Sequence, residues 1–361
     1  MARIATKLSL VPMMAGLALT ALPGEAAATL ALLPAGAGFT LTDTLTGFPT
    51  TSYGSYTISS LGISPTGQLI GSGNATSYVF TDTDGQTLGN ALSTVAQVPG
   101  GNGYVLASTM GQLYGSHALG GGFYQFNANG SVGTQITLSG PAAAATSLFG
   151  LWGNPVNGHL LASANIGLID IDPSTGNSLI VDPLTGYAAD GVTVTPDGKF
   201  VYVADYILDR VMGFSLTNIT PYTYGQQVYN SGVLGHGSDG MGVLAGTCAQ
   251  AGDIVVNNND GTVGLIDPSS PGETTIASGG SRGDFASLDT NNGTLLLTFD
   301  EKIVRLAPPA GCSIGVVLTT NGGNPPVPEP GSLALMLTGL LGLAGLGLAR
   351  TAPRVVPALR K

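Results

Sequence analysis

Three aspartates open apolar runs in the same way: Asp190 in Asp190-Gly191-Val192, Asp239 in Asp239-Gly240-Met241 and Asp284 in Arg282-Gly283-Asp284-Phe285. Carboxylates brought together from separate segments repel one another, and a cation would relieve the repulsion. Oxygen ligands of this kind suit Ca²⁺. The plainer reading is that each aspartate caps its own turn through its side chain, the common use of Asp-Gly. His236, three residues before Asp239, is the histidine placed to serve such a site as a general base, while His117 and His159 have no metal-type spacing. Neither a phosphate loop nor a His-Glu-x-x-His sequence occurs.

The elements that would have to bring these residues together repeat. Six times the chain reads glycine, one polar residue, then a large apolar residue: Gly67-Gln68-Leu69, Gly111-Gln112-Leu113, Gly158-His159-Leu160, Gly198-Lys199-Phe200, Gly252-Asp253-Ile254 and Gly293-Thr294-Leu295. The intervals are 44, 47, 40, 54 and 41 residues. Turn chemistry such as Pro196-Asp197-Gly198 and Asn291-Asn292-Gly293 precedes four of the anchors, and the glycine supplies the positive φ these turns need. A unit of roughly 45 residues with three or four short strands is the length of a propeller blade. The spacing predicts an all-β chain, a β-propeller of six blades over 29–320, with the segment 39–46 as an extra strand closing the last blade. A β-solenoid, the alternative, has a period nearer to about 20 residues. In such a ring the starts of the inner strands line the mouth of a central channel, which is where Asp190, Asp239 and Asp284 would meet.

The fourth unit, from Asp190-Gly191-Val192-Thr193-Val194-Thr195-Pro196-Asp197-Gly198 to Lys199-Phe200-Val201-Tyr202-Val203-Ala204-Asp205, resembles the repeat of NHL and YVTN-type propellers. That group includes lactonase-like and streptogramin-lyase-like enzymes. The resemblance implies the fold and leaves the activity open, because propellers host many unrelated functions.

Composition narrows the class. Charged residues make up 9% of the 361, against about 25% in an ordinary soluble domain, so the composition is not that of a cytosolic enzyme. Residues 29–326 hold five basic and nineteen acidic side chains, a net of −14, which argues against nucleic acid as a partner. The remaining positive charge sits at the two ends, and both ends read as targeting devices. Arg3 and Lys7 precede an uncharged stretch and the small-residue run Ala26-Ala27-Ala28, the layout of a secretory signal peptide over 1–28. At the other end, a linker over 321–330 carries Val327-Pro328-Glu329-Pro330, an uncharged segment follows over 331–349, and a basic tail fills 350–361. Nineteen residues at about 1.5 Å each match the hydrocarbon thickness, so 331–349 is expected to be a transmembrane helix, with the basic tail cytoplasmic.

The order Val327, Pro328, Glu329, Pro330, apolar helix and basic end resembles the PEP-CTERM sorting signal of Gram-negative bacteria that also make exopolysaccharide. The resemblance implies an exosortase-type processing partner that recognises Pro328, Glu329 and Pro330, and delivery to the cell envelope, surface or extracellular matrix. The basic residues here are spread out and interrupted by Pro353 and Pro357, where the family packs arginines tightly. In an exported chain the only two cysteines, Cys248 and Cys312, favour a disulfide over two buried thiols. The expectation from all this is a non-enzymatic surface- or exopolysaccharide-associated binding or structural propeller. The alternative is a metal-dependent lactonase- or lyase-like enzyme using Asp190, Asp239, Asp284 and His236.

Overall fold

The computed structural model describes residues 29–48, 58–73, 76–96, 104–117, 122–183 and 188–315. These form six antiparallel sheets arranged as the blades of a β-propeller. The innermost strands are Ser60–Ile63, Tyr104–Thr109, Leu148–Gly153, Ala189–Val194, Ser238–Gly246 and Gly283–Asp289. Each touches the next and the sixth touches the first, so the ring is closed. The expected six-bladed architecture is what the chain adopts.

The anchors work as their composition requires. All six anchor glycines have positive φ, from +69° at Gly111 and Gly198 to +101° at Gly252, a region where a side chain would be strained. In blade four the neighbouring aspartate completes the turn: Asp197 Oδ1 accepts from the Lys199 N–H at 3.1 Å and from Thr195 Oγ1 at 2.7 Å. The strands that follow, such as Leu160–Ala164 and Thr294–Phe299, are buried along their whole length. Each lies mid-sheet with a blade packed on both faces, which is why these strands read as unbroken apolar runs and not as an alternation.

Closure uses the two ends of the described chain. Thr40–Thr46 pairs with Ile303–Ala307 in register Thr40↔Ala307 to Leu45↔Ile303 and supplies the outer strand of blade six. Gln86–Thr87 of blade one then pairs in parallel with Leu45 and Thr46. Ala31–Leu32 adds an outermost strand to blade five, and Cys312–Ile314 pairs with Leu244, Ala245 and Gly246 at the far end of that blade's inner strand. Cys248 and Cys312 are joined by a disulfide that ties this last strand to blade five. On the loop-entropy account, closing 64 residues contributes about 4 kcal/mol.

A buried cluster joins first blade to last. Arg305, in the third strand of blade six, donates from Nε to Asp84 Oδ1 at 2.8 Å and from Nη2 to Asp82 Oδ1 at 2.6 Å, both in blade one. Its Nη1 reaches Asp289 Oδ2 and, at 2.9 Å, Thr294 Oγ1. Burial would weaken the guanidinium's hold on its charge, but the three carboxylates reverse this and raise its pKa above the ordinary value.

Among the described residues no helix is long and apolar enough to cross a membrane. The expected signal peptide (1–28), the sorting motif Val327 to Pro330, the helix (331–349) and the basic tail (350–361) lie outside the described residues.

Candidate active site

The three aspartates owe their placement to a local irregularity repeated in three blades. In blade four the pairing jumps from Ala189↔Asp205 to Val192↔Val203, so Asp190 and Gly191 face a single residue, Ala204. Blade five repeats this with Asp239 and Gly240 opposite Asn257, between Ser238↔Asn258 and Met241↔Val256. Blade six does so with Asp284 and Phe285 opposite Thr298, between Gly283↔Phe299 and Ala286↔Leu297. A bulge of two residues against one re-aims the first side chain, a device common beside functional sites. Here it turns three carboxyls toward one another at one end of the channel.

Side chains from neighbouring strands hold the bulges in place. Asn257 Nδ2 donates to the carbonyls of Asp284 and Phe285 at 3.2 Å and of Thr298 at 3.0 Å, while Thr298 Oγ1 donates to Phe285 O at 3.0 Å. Ser163 of blade three donates to the carbonyl of Asp190. The glycines inside the bulges allow the blades to touch: a Cβ on Gly191 would fall 2.0 Å from Asp239 O, and one on Gly240 2.0 Å from the Ala286 nitrogen.

Above the bulges lies a cup of about 460 Å³ lined by Asp190 of blade four, Asp239 and Asn259 of blade five and Arg282 just ahead of the inner strand of blade six, together with Phe149, Ala164 and Asn165 of blade three and Ala188, Ala189 and Tyr206 of blade four. Below them Ser60, Leu106, Gly150, Gly191, Gly240 and Ala286 leave a void of about 10 Å³, at most the room of a single water. The channel is therefore shut beneath the cup.

The carboxyls interact strongly. Burial, reinforced by the charge of Asp284, pushes Asp190 up to about 8, although part of the residue's surface opens into the cup. Burial also pushes Asp239 well up, and Asp190, Asp284 and a hydrogen bond with the Asp284 carboxyl add to it. Asp284 rises by burial to only about 6, because Arg282 and the same hydrogen bond favour its ionised form; Arg282 Nη2 lies 3.7 Å from Asp284 Oδ1. Two carboxyls can share a hydrogen bond only if one is protonated, and these directions make Asp239 the donor and Asp284 the acceptor. Asn259 Nδ2 donates to Asp239 Oδ2 at 3.4 Å, whereas Asp239 Oδ1 and Asn259 Oδ1 are buried without a hydrogen-bond partner.

His236 is placed differently. It is not among the residues lining the cup. Its Nδ1 pairs with Asp260 Oδ2 at 2.7 Å, and that bond, with help from Glu273 and Asp209, raises its pKa. Asp209 fixes the loop, accepting from the N–H groups of Gly235, Gly237 and Ser238 at 2.6, 3.0 and 3.0 Å. His159 likewise sits 2.7 Å from Asp170, away from the cup.

Sequence reasoning missed four contributors. Phe149 occupies the bulge of blade three, between Leu148↔Ala164 and Gly150↔Ser163, and the shared Phe149-Gly150 and Asp190-Gly191 pattern was the available signal. Arg282 could have been noticed as one of five basic residues in the body, two before Asp284. Asn259 and Tyr206 lie in turns between the second and third strands of blades five and four, and no local signal marks them.

A six-bladed β-propeller with an acidic, one-ended cup is the class that this fold and site define. No protein-family model matches the chain, and no curated protein sequence does. Among solved structures, a gluconolactonase from Xanthomonas campestris described as important in glucose secondary metabolic pathways superposes with a TM-score of 0.52 at 13% identity, covering 74% of this chain and 89% of that one. A second structure, assigned to the gluconolactonases, gives 0.54 at 16% identity, covering 78% and 94%. At such identities the likeness shows the fold. Both of these propellers carry the name of an enzyme, which corrects the expectation of a binding or structural protein in favour of its lactonase-like alternative.

Proposed function

We propose that the chain is a lactonase-like propeller enzyme that hydrolyses a cyclic ester in the acidic cup. The observation that carries this reading is the convergence of three carboxyls from successive blades, Asp190 and Asp239 lining the cup and Asp284 hydrogen-bonded to Asp239. A water in the cup gives a proton to the Asp239 carboxyl, which lines it, while Asp239's own proton moves along the hydrogen bond to Asp284. The water oxygen bonds to the lactone carbonyl carbon, the ring C–O bond breaks, and the departing alkoxide takes a proton from Asp190, which at neutral pH still carries one. Arg282, close to Asp284, stabilises the ionised member of the set before the reaction starts.

A divalent cation fits the chemistry of the same donors, since Asp239 Oδ1 and Asn259 Oδ1 are buried acceptors lacking a donor and Asp190 adds a third oxygen ligand. Among the described residues no group of three or more His, Cys, Asp or Glu side chains forms a ready-made metal site, so Asn259 would have to take part. When bound, such an ion would polarise the lactone carbonyl and favour ionised carboxyls. We expect purified protein to hydrolyse γ-lactones faster than buffer does, with elemental analysis finding about one equivalent of divalent ion and chelation lowering both rate and melting temperature. Failure to hydrolyse any lactone, with or without added Ca²⁺, overturns the reading.

We also propose export and sorting: removal of 1–28, recognition of Val327, Pro328, Glu329 and Pro330 by an exosortase-type enzyme, and a final place in the cell envelope or outside it. The charge layout of the two ends supports this. So does the chain's course, since Gly315 bonds to Val243 O at the end of the channel opposite the cup, and a tether there leaves the cup facing outward. The intact mass of cell-associated protein is expected to lack both 1–28 and the segment after Pro330; a full-length mass overturns it.

A further inference from the structure

We propose that the cup selects lactones carrying an alkyl or acyl substituent of several carbons, and not polyhydroxylated sugar lactones. This inference rests on the lactonase reading and assigns the substrate class of that site. Of the polar groups of the cup, Asp239, Asn259 and Arg282 come from blades five and six and Asp190 from the end of blade four beside them, where they can serve a single ester group. Blades three and four supply Phe149, Ala164, Ala188, Ala189 and Tyr206, whose side chains offer a substrate hydroxyl only the Tyr206 phenol. Asn165 Oδ1 already accepts from the Thr146 and Ser147 N–H groups at 2.9 and 3.2 Å, which leaves that side chain only its Nδ2 group to offer a substrate. A sugar lactone bears a hydroxyl on almost every ring carbon, and each one buried against such apolar side chains loses its water without gaining a partner. An alkyl chain loses nothing there.

The apolar surface continues beyond the residues that line the cup. Tyr206, Ile207 and Leu208 follow one another in the turn between the second and third strands of blade four and are 54%, 62% and 42% exposed. Three large apolar side chains in succession, beginning with the Tyr206 that lines the cup, are a costly exposed surface for a turn whose backbone is pinned by the Leu208 N–H donating to Asp205 Oδ1 at 3.2 Å.

The test uses the full chain with a γ-lactone series from γ-butyrolactone to γ-decalactone, alongside D-glucono-1,5-lactone. A buried methylene is worth about a fourfold change, so kcat/KM should rise by about that factor for each of the first carbons added, with the sugar lactone the poorest substrate. A flat or falling series, or preference for the sugar lactone, overturns the proposal. Binding is read separately with 5-alkyl-2-pyrrolidinones, ring amides that are not opened, whose affinity should follow the same slope. Affinity that follows the slope without turnover of any lactone keeps the apolar subsite and overturns the hydrolase. Tyr206→Ser and Ile207→Ser, at positions too exposed to endanger folding, should each flatten the slope.

Discussion

Replacing Asp239 by asparagine is expected to lower kcat for lactone hydrolysis by about 10²- to 10⁴-fold, the usual contribution of a general acid–base group, while making the folded protein more stable at pH 8. The two effects share a cause. The amide keeps the shape of the carboxyl and still donates to Asp284, so the bulge between Ser238↔Asn258 and Met241↔Val256 is retained, but it cannot take up a proton. Stability follows from linkage. Burial raises the folded pKa values of Asp190, Asp239 and Asp284 above the unfolded value of 3.8. Their full stabilisation is therefore present below about pH 4 and is lost as pH rises through about 6 for Asp284 and about 8 for Asp190. Asp239→Asn removes one of these titrations, so its melting temperature should fall less than that of the native chain between pH 5 and pH 8. The native rate should rise through about pH 6, where Asp284 ionises, and fall near 8 as Asp190 loses the proton it donates, the set titrating as a coupled unit. Turnover by the variant within threefold of native at pH 7 would remove Asp239 from the mechanism.

Arg305→Met carries the largest expected loss of stability, about 3–5 kcal/mol at pH 7.5, because it strands charges and does not merely remove a contact. Asp289 is fully buried and Asp82 nearly so, and when the guanidinium goes both lose the only cation paired with them among the described residues. Burial and Asp82 already push Asp289 upward, opposed by Arg305, so in the variant its folded pKa climbs further. A raised carboxyl pKa stabilises the folded state most at low pH, and the deficit measured by urea unfolding should accordingly shrink between pH 7.5 and pH 5. Because Arg305 bonds to Asp82 and Asp84, more than 220 residues away in the chain, the variant should also open the ring at the junction of blades six and one. Hydrogen exchange is expected to speed up first in Thr40–Thr46 and Ile303–Ala307. A variant as stable as the native chain at both pH values would show that the cluster contributes nothing to closure.

The repeat was legible because turns are local. A glycine that must take positive φ, at four of the six anchors with proline, aspartate or asparagine just before it, announces itself over four or five residues, and the six anchors together set both the blade number and the class. The closing strand, expected over 39–46, forms as Thr40–Thr46 for a related reason: an apolar-alternating segment ahead of the first anchor has no blade of its own to complete. The aspartates could be picked out as candidates by their shared position at the head of inner strands.

Whether those aspartates met was a matter of register. Two residues against one in three successive blades is a property of strand pairing, and a sequence does not display which partner each residue will face. The same holds for Asn259, Arg282 and Phe149, which reach the cup from different blades. His236 shows the opposite failure: three residues from Asp239 in sequence, it turns to Asp260 because Asp209 binds the loop between them. Sequence by itself determined the six-bladed ring, its turns and the acidic character of its body, since these depend on backbone preferences and composition. Tertiary structure alone decided which acids share a proton, that Arg305 locks the ring, and that blades three and four give the cup its apolar lining, because each of these is set by contacts between residues tens to hundreds of positions apart.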